Sequence, residues 1–315
     1  MNFKLMSMAG QGGSVFGISL MELMNQRSDL MVLSSDMSTP AGLDKFKAAY
    51  PDHFMNMGIA EQNMIGTAAG LAEEGYKPIC VAQACFITMR SFEQVRQYCG
   101  YMQIPIVIIG IGSGVSLQYM GNTHYAIEDI ALMRTIPGMQ VIAPCDSYEA
   151  VKAFEYAVNS ECPVYIRLFG GTAIPAVFNE DTDFVCGKVI KLREGKDVQI
   201  IATGSMVEQA KKVAEELETE GIDTSVVDMH TVKPLDAESI DYNAKLIVTL
   251  EEHNIIGGLG SAVADALSQH ISHPQLLKLG INDCFLPVGS YKYLLQQCGL
   301  DVNTITEKII EFNRD

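Results

Sequence analysis

Residues 106–109 read Ile-Val-Ile-Ile, four apolar and β-branched side chains in a row. A strand with one face in water alternates apolar and polar residues, whereas a strand buried on both faces is apolar throughout. Similar runs recur in the first half of the chain, between longer stretches of helical period: Leu30–Leu33, Ile79–Val81, Pro105–Ile109, Gln140–Ala143 and Val164–Leu168. This alternation predicts parallel strands joined by crossover helices, which is an α/β fold.

A second series of strands follows the loop-like stretch Gly170–Phe184. Its predicted strands are Val198–Ala202, Ser225–Val227, Lys245–Leu250 and a short one near Leu276–Leu279. Between them we predict helices such as Met206–Glu220, which ends before Gly221. We therefore expect two three-layer α/β/α domains, residues 1–175 and 190–315, with a boundary at about residues 172–190.

The chain is acidic, with 38 Asp and Glu against 22 Lys and Arg and a net charge of −16. Such a charge repels nucleic acid and anionic membranes unless a local basic patch offsets it, and no such patch is evident. The N-terminal segment MNFKLMSMAG has no sustained apolar core, and the run Ile104–Ile111 is too short to cross a bilayer. We expect neither nucleic acid nor membrane as a partner, and no export.

The eight cysteines lie mostly in apolar or mixed segments, without a CxxC pair or a Cys and His at metal-ligand spacing. Their positions are Cys80, Cys85, Cys99, Cys145, Cys162, Cys186, Cys284 and Cys298. This pattern is typical of reduced thiols. We therefore expect a cytoplasmic protein and no metal ligands in this chain.

The densest motif is Asn-Met-Gly-Ile-Ala-Glu-Gln-Asn at residues 56–63, which is followed by small residues that include Gly66 and Gly70. Glu61 is expected in the first turn of a helix, where the helix dipole favours a carboxylate. That capping role alone would explain a glutamate at this position. Gly66 and Gly70, however, allow another backbone or helix to approach closely, as at a tight subunit interface.

The segment Gly58–Asn63 resembles the GIAEQ motif of the transketolase and deoxyxylulose-phosphate synthase superfamily, whose cofactor is thiamine diphosphate. The resemblance implies that Glu61, as a protonated carboxyl group, hydrogen-bonds the N1′ atom of the cofactor's aminopyrimidine ring. Sharing that proton stabilises the imino form of the ring, whose 4′ nitrogen then takes the proton from the thiazolium C2 carbon. Glu61 is thus implied to be both catalytic and cofactor-binding.

The resemblance continues through Phe86 and the segment Arg90-Ser91-Phe92-Glu93-Gln94. In the family an aromatic residue at the position of Phe86 stacks on the aminopyrimidine. A core phenylalanine is the alternative on composition alone, but the register with Glu61 favours the cofactor role. Arg90 and Glu93 resemble the family's R-x-x-E/D-Q segment, which lies near the cofactor and the subunit interface, so Arg90 is expected at the cofactor.

Gly121-Asn122-Thr123-His124 resembles the G-x-T-H element of the family, whose histidine donates to hydroxyl or carbonyl oxygens of the substrate. The resemblance implies a catalytic role for His124. A histidine that caps a helix or is simply hydrogen-bonded is the alternative. Asp36 and Met37, which end the first strand, resemble the loop that packs on the cofactor and are expected to contact it.

Three segments of the second half, residues 229–236, 251–254 and 257–261, resemble the C-terminal domain of transketolases and of the β subunits of 2-oxo-acid dehydrogenases. The glycine cluster lacks the lysine of a phosphate-binding loop and the spacing of a dinucleotide fingerprint. We expect it to form a tight turn that opens a helix, Ser261–Gln269. In the family this domain mainly builds the dimer interface, and we assign it no chemistry.

A complete transketolase also carries an N-terminal domain that binds the diphosphate through Mg²⁺ with a GDG segment, which this sequence lacks. Such a site needs oxygen ligands at fixed spacing, and nothing in the sequence supplies them. The resemblance therefore implies a partner, an N-terminal transketolase subunit that holds the diphosphate and Mg²⁺. It also implies an α2β2 assembly with catalysis between subunits and weak cofactor binding by this chain alone.

Transketolases that act on sugar phosphates grip the phosphate with basic residues at three positions. Here those positions hold Ser7, Gly112 and Gly170, which cannot make the bidentate contacts of arginine. Either the substrate is not phosphorylated, or its phosphate is held by other residues or by the partner. Met120 replaces the family's acidic residue before the G-x-T-H glycine, which leaves the selectivity for sugar hydroxyls open.

The resemblance implies that the two chains together transfer a two-carbon ketol unit from a ketose to an aldose, with small sugars as substrates. The β subunit of a 2-oxo-acid dehydrogenase is the alternative enzyme, but the G-x-T-H stretch favours a transketolase. A deoxyxylulose-phosphate synthase fits less well, because its phosphate-binding arginines are absent. A catalytically inactive assembly subunit is a further alternative, against which the presence of both Glu61 and Phe86 argues.

Overall fold

The structure, a computed structural model, describes residues 13–170, 174–178 and 182–314. Within these residues the helices are α1 (Gly13–Leu23), α2 (Asp44–Ala49), α3 (Glu61–Glu73), α4 (Ala84–Met89), α5 (Phe92–Val95), α6 (Asp129–Arg134), α7 (Ser147–Asn159), α8 (Met206–Thr219), α9 (Leu259–Leu267), α10 (Tyr291–Cys298) and α11 (Val302–Arg314). The strands are β1 (Leu30–Ser34), β2 (Phe54–Asn56), β3 (Lys77–Gln83), β4 (Val107–Ile111), β5 (Gln140–Ile142), β6 (Val164–Leu168), β7 (Ile190–Arg193), β8 (Val198–Ala202), β9 (Thr224–Asp228), β10 (Thr231–Lys233), β11 (Leu246–Asn254) and β12 (Gln275–Ile281). A π-helical turn, Arg96–Tyr101, continues α5.

Seven strands form the first sheet, in the order β10-β5-β6-β4-β3-β1-β2. Every pair is parallel except β10 with β5. Alternate residues of Ile106–Ile109 pack into two different apolar clusters, one with Phe16 of α1 and Phe154 of α7, the other with Met64 of α3. Helices therefore cover both faces of this sheet, as the continuous apolar run predicts.

Five strands form the second sheet, in the order β12-β11-β8-β9-β7, and only the edge pair β7 with β9 is antiparallel. One face packs against α8 and α11, where Ile200 joins the cluster that contains Val213 and Ile305. The other face packs against α9, where Ile201 joins the cluster that contains Val263. The second half of the chain is thus also a three-layer α/β unit.

A strand of the second half completes the first sheet. Strand β10 follows β9 in the chain, yet it pairs antiparallel with β5, and Thr231 lies opposite Ile142. The backbone N–H of Ala143 donates to the carbonyl of His230 at 2.8 Å beside this pair. In the same region the buried Arg167 guanidinium donates to Asp129 at 2.8 Å and to the carbonyl of Glu252 at 2.9 Å. The two halves are therefore joined by backbone and by buried polar contacts.

The prediction of two three-layer α/β domains is confirmed. Strand β8 has the predicted bounds, and α8 ends one residue before the predicted Glu220. The predicted helix Ser261–Gln269 is wrong in its bounds, because α9 begins and ends two residues earlier. The domain limits 1–175 and 190–315 stay a prediction. Among the described residues, no helix is long and apolar enough to cross a membrane.

Candidate active site

The candidate site lies at the carboxyl edge of the first sheet. Strands β1, β2 and β3 run parallel, so the segments that follow them emerge at the same edge. In open α/β sheets this edge is where ligands bind. The three segments carry the predicted site residues: Asp36 and Met37 after β1, Glu61 after β2, and Phe86 and Arg90 after β3.

The loop between β2 and α3 is held by side chains from its surroundings. Ser35 Oγ donates to the carbonyl of Gly58 at 2.9 Å and accepts the N–H of Ala60 at 3.2 Å. Asn56 Oδ1 accepts the N–H of Gly58 at 3.1 Å. Gly58 has a φ of +69°, a left-handed conformation that glycine adopts without steric cost. These contacts fix the path of the chain immediately before Glu61.

Glu61 is the first residue of α3 and is buried, with 5% of its side chain exposed. Its position at the start of the helix is electrostatically favourable for a carboxylate. Arg90 Nη1 donates to Glu61 Oε1 at 3.1 Å, and 45% of the Arg90 side chain is exposed. The predicted catalytic carboxyl group is thus buried and paired with a half-exposed cation.

Phe86 and His124 stand next to this ion pair. The Arg90 guanidinium carbon lies 3.7 Å from the centroid of the Phe86 ring, which is half-buried in α4. The His124 ring meets the Phe86 ring nearly edge-on, with 5.3 Å between the centroids. The structure therefore brings together four of the predicted site residues: Glu61, Phe86, Arg90 and His124.

His124 is positioned by both halves of the chain. Gln83 Nε2 donates to the backbone carbonyl of His124 at 3.2 Å, and His124 Nδ1 shares a hydrogen bond with Thr123 Oγ1 at 2.8 Å. Two residues earlier, Asn122 Nδ2 donates to the carbonyl of Leu286 at 2.7 Å, and Asn122 Oδ1 accepts its N–H at 2.9 Å. A loop of the second half thereby anchors the segment that presents the histidine.

Asp36 and Met37 lie on the same edge but outside this group. Asp36 is exposed, has a φ of +55°, and bonds to Asn56 through both its N–H and its carboxylate. Met37 packs against the apolar cluster on the α1 face. Within the described part of the chain, neither makes a hydrogen bond, ion pair or ring contact with Glu61 or Arg90.

Several residues that position these segments were not among the predicted site residues. Ser35 and Asn122 hold the two key loops through bonds to distant backbone atoms, and only the fold reveals these pairings. Glu252 is buried at the junction of the halves, accepts the N–H of Val115 at 2.7 Å and accepts the hydroxyl of Tyr291 at 2.7 Å. Burial raises the pKa of Glu252.

Comparison with known families decides what this arrangement is. Residues 12–169 match the family described as "Transketolase, pyrimidine binding domain", and residues 187–305 match "Transketolase, C-terminal domain". The chain belongs to the transketolase family. It is an enzyme subunit of the transketolase type, and transketolases are transferases. The predicted family is thereby confirmed.

Several similar proteins are subunits or sections of transketolases. A putative transketolase C-terminal section from Methanocaldococcus jannaschii is 38% identical over 94% of each chain. The 6-deoxy-6-sulfo-D-fructose transketolase subunit SqwH from Clostridium sp. is 37% identical over 91% of this chain and 89% of that protein. A solved structure described as "Split gene transketolase, inactive beta4 tetramer" superposes with a TM-score of 0.85 at 38% identity, over 96% of this chain and 98% of that chain.

Transketolases use thiamine diphosphate, and the space between Glu61 and Phe86 admits a planar group. A planar, nitrogen-bearing group already lies there, because the Arg90 guanidinium donates to Glu61 and covers the face of the Phe86 ring. An aminopyrimidine ring would need the same two contacts. The residues present therefore suit the aminopyrimidine of thiamine diphosphate.

The described residues offer no comparable place for a magnesium diphosphate. Their one cluster of three metal-ligand side chains is Cys145, Glu149 and Asp228, which is fully buried at the junction of the halves. A sulfur ligand in a closed, dry site does not suit Mg²⁺, which keeps several waters and prefers oxygen. The metal that the family uses is therefore not expected at these residues.

Two of the three positions that lack a basic residue touch each other. A Cβ atom added at Gly170 would lie 2.7 Å from the Cα atom of Gly112, and one added at Gly112 would lie 2.8 Å from Leu117 Cδ1. Gly112 also has a φ of +82°. A side chain at Gly170 would therefore require the backbone to move, and one at Gly112 would require Leu117 to shift and would strain the backbone. Ser7, the third position, lies outside the described residues.

Proposed function

We propose that this chain supplies the pyrimidine side of a thiamine diphosphate site and, with an N-terminal partner subunit, transfers a two-carbon ketol unit from a ketose to an aldose. The observation that carries the proposal is the buried Glu61 carboxyl group, which contacts the same planar group, the Arg90 guanidinium, as the face of the Phe86 ring. The family matches over both halves of the chain support the same activity.

Each residue of the site then has a defined task. Glu61 holds a proton at the N1′ atom of the aminopyrimidine, and burial shields that proton from water. Phe86 orients the ring by stacking, and Asp36 and Met37 limit the cofactor pocket from the β1 side. His124, beside Phe86, donates a hydrogen bond to a substrate oxygen on which negative charge develops.

When bound, thiamine diphosphate supplies the nucleophilic carbon and the electron sink of the reaction. The chain orients the aminopyrimidine ring and holds one proton on Glu61. Helix α3 keeps the Glu61 carboxyl group fixed from its first turn, so no reorganisation of the backbone is needed before the proton moves. The chain therefore positions the cofactor at the edge of the sheet, and the cofactor provides the reactive carbon.

The partner holds the diphosphate and Mg²⁺ in this proposal, and the expected assembly is an α2β2 heterotetramer. The absence of a GDG segment and of an oxygen-ligand cluster among the described residues supports a second chain. The similar split transketolase is described as inactive when it forms a β4 tetramer, which agrees with a need for another subunit. We place the enzyme in the cytoplasm, because its cysteines are free and mostly buried. We place it in carbohydrate metabolism because its proposed substrates are sugars.

The substrate is a ketose, and no arginine at position 112 or 170 of this chain binds the end of the sugar where other transketolases bind a phosphate. The contact between Gly112 and Gly170 supports this, since a side chain at Gly170 would meet the backbone of Gly112 and one at Gly112 would meet Leu117. An anionic group on the sugar, if present, is held by other residues or by the partner. We also propose that the two functional units span residues 1–175 and 190–315; the matched segments 12–169 and 187–305 support a division in this region.

A substitution at Glu61 tests the proposal. In the complex with the partner, Glu61→Gln keeps the size of the side chain but removes the carboxyl proton. We expect ketol transfer to fall by about 10²-fold or more, the usual contribution of an acid–base group, with an unchanged unfolding temperature. Glu73→Gln, at the exposed far end of the same helix, is the matched control and keeps full activity. Retention of activity by Glu61→Gln, within a few-fold of the wild type, contradicts the assigned role.

A further inference from the structure

Arg90 makes, within one chain, the two contacts that a cofactor ring would make. Its guanidinium is planar and carries N–H donors on its edge, as an aminopyrimidine does. The edge donates to Glu61 Oε1 at 3.1 Å, and the face covers the Phe86 ring at 3.7 Å from guanidinium carbon to ring centroid. A ring and this guanidinium cannot occupy the same volume against Phe86.

We propose that Arg90 occupies the place of the aminopyrimidine in the free chain and must leave it for the cofactor to enter. The proposal rests on the function assigned above, and adds an internal competitor to it. Arg90 is then a self-blocking residue of the cofactor site, whose departure is a step of holoenzyme assembly. The order is fixed by geometry: the ion pair with Glu61 opens, the guanidinium moves away from Phe86, and the ring enters.

The environment of Arg90 allows this movement. Residue 90 lies at the end of the short helix α4, and 45% of its side chain is exposed, so a rotation of the side chain takes the guanidinium into water. Glu61 has no such freedom, because 5% of its side chain is exposed and it belongs to the first turn of α3. The blocking group is therefore the mobile partner of the pair.

The block also explains how a buried carboxylate is tolerated before the cofactor binds. An unpaired charge in a dry recess is strongly destabilising, whereas a paired one is not. Arg90 supplies the missing charge. When the cofactor shares a proton with Glu61, this cation is no longer needed. Glu61 is thus paired with Arg90 in the free chain and with the aminopyrimidine in the cofactor-bound chain.

Binding of thiamine to the full-length chain measures the block directly. Thiamine carries the aminopyrimidine but no diphosphate, so its binding does not depend on the partner's Mg²⁺ site. In calorimetric titrations, Arg90→Met is expected to bind thiamine about 3- to 30-fold more tightly than the wild type, the range set by one cation–π contact and one half-exposed ion pair. Arg96→Met, the same replacement at an exposed position in the next helical turn, is expected to bind like the wild type.

A second measurement follows the arginine itself. Protons above the face of an aromatic ring are shielded, so the Arg90 side-chain N–H signal is expected at an unusual position in NMR spectra of the free chain. Addition of thiamine is expected to move it to the position of a solvated arginine. The Arg90→Met spectrum identifies the signal, since it is the one that disappears.

The outcomes separate this inference from the proposed function. Equal or weaker thiamine binding by Arg90→Met, while the wild type and Arg96→Met bind, overturns the block and leaves the cofactor site intact. An Arg90 signal that stays shielded at saturating thiamine overturns it as well. If no variant binds thiamine or thiamine diphosphate, even with the partner subunit and Mg²⁺, the proposed function itself is wrong and the block falls with it.

Discussion

The ring of His124 is oriented by its neighbours before any substrate arrives. Its Nδ1 atom shares a hydrogen bond with Thr123, and its edge contacts Phe86. A hydrogen bond at Nδ1 fixes which way the ring faces, which leaves Nε2 for a ligand. A donor held in this way needs no rearrangement when charge develops on the substrate.

Replacement of His124 by asparagine is expected to lower kcat/KM of ketol transfer by about 10²-fold, the typical loss for one donor to a developing oxyanion. The affinity for thiamine diphosphate should stay within about threefold of the wild type, because Glu61 and Phe86 remain. Steady-state kinetics and a cofactor titration of the complex measure the two effects. His273→Asn, at an exposed position, is the control. Equal losses in cofactor affinity and in turnover contradict a role toward the substrate.

Among the secondary-structure elements, the path of the loop from β2 to α3 depends on the hydroxyl group of Ser35, the residue that follows β1. Ser35 is buried, and its Oγ bonds to both Gly58 and Ala60. Removal of a buried hydrogen-bonding group costs about 1–3 kcal/mol when its partners stay unsatisfied. The loop would lose its fixed path where it leads into Glu61.

The variant Ser35→Ala is therefore expected to lower the free energy of unfolding by about 1–2 kcal/mol and to weaken cofactor binding. Urea denaturation measures the first effect and a cofactor titration of the complex the second. Ser268→Ala, on an exposed helix end, gives the cost of losing a hydroxyl elsewhere. A stability loss without any change in cofactor affinity contradicts the positioning role of Ser35.

The sequence predicts these elements well where burial alone decides them. Strand β8 is fully buried and apolar enough to be predicted to the residue. The start of α9 was not predictable, because its first N–H groups, those of Leu259 and Gly260, donate at 2.7 and 2.8 Å to the distant carboxylate of Glu251. Strands β2 and β10 are three residues long, and pairing with a neighbour creates them rather than any pattern of their own.

The same limit applies to the site. The resemblance around Glu61 and Phe86 led to two residues that both contact the Arg90 guanidinium, and His124 lies beside Phe86. The spacing of Phe86 and Arg90 places both on one face of α4. That the Arg90 guanidinium also reaches Glu61 could not be predicted, because this pairing depends on how α3 and α4 lie in the fold. The positioning roles of Ser35 and Asn122 were not predicted for a related reason, since their hydrogen-bond partners are backbone atoms far away in the chain.

For the whole molecule, the junction of the halves contains a buried acidic cluster. Cys145 lies two residues before α7, Glu149 lies in its first turn, and Asp228 ends β9; all three are fully buried. Burial raises the pKa of Asp228 to about 7, and burial also raises the pKa of Glu149, with the nearby Asp228 as a further cause. Asp146, the next acidic neighbour, caps α7 through the N–H of Glu149 at 2.9 Å. The folded junction therefore retains protons that the unfolded chain releases.

A carboxyl group with a raised pKa stabilises the fold at low pH and costs stability as pH rises. For Asp228 the loss begins near its ordinary value of 3.8 and is complete just above about 7. A shift of this size corresponds to at most about 4 kcal/mol. Asp228→Asn, which cannot ionise, is expected to flatten the fall in stability between about pH 4 and 7, the two ends of this window.

Urea denaturation at several pH values, on the wild type and on Asp228→Asn, measures that slope. Asp223→Asn, a nearby surface position in the loop before β9, is the control and should keep the slope of the wild type. A slope that is the same in all three proteins shows that the cluster does not bind the extra protons.

Strand β10 has a consequence for engineering the enzyme. Thr231–Lys233 forms one edge strand of the first sheet, so the sheet of the pyrimidine-binding half includes a strand from the second half of the chain. A hybrid that grafts this half onto the second half of a relative would receive a foreign closing strand, and a truncated version would leave β5 as an open margin that invites aggregation. Recombination between relatives should therefore carry residues 231–233 along with the first half, even though they lie far downstream in the gene.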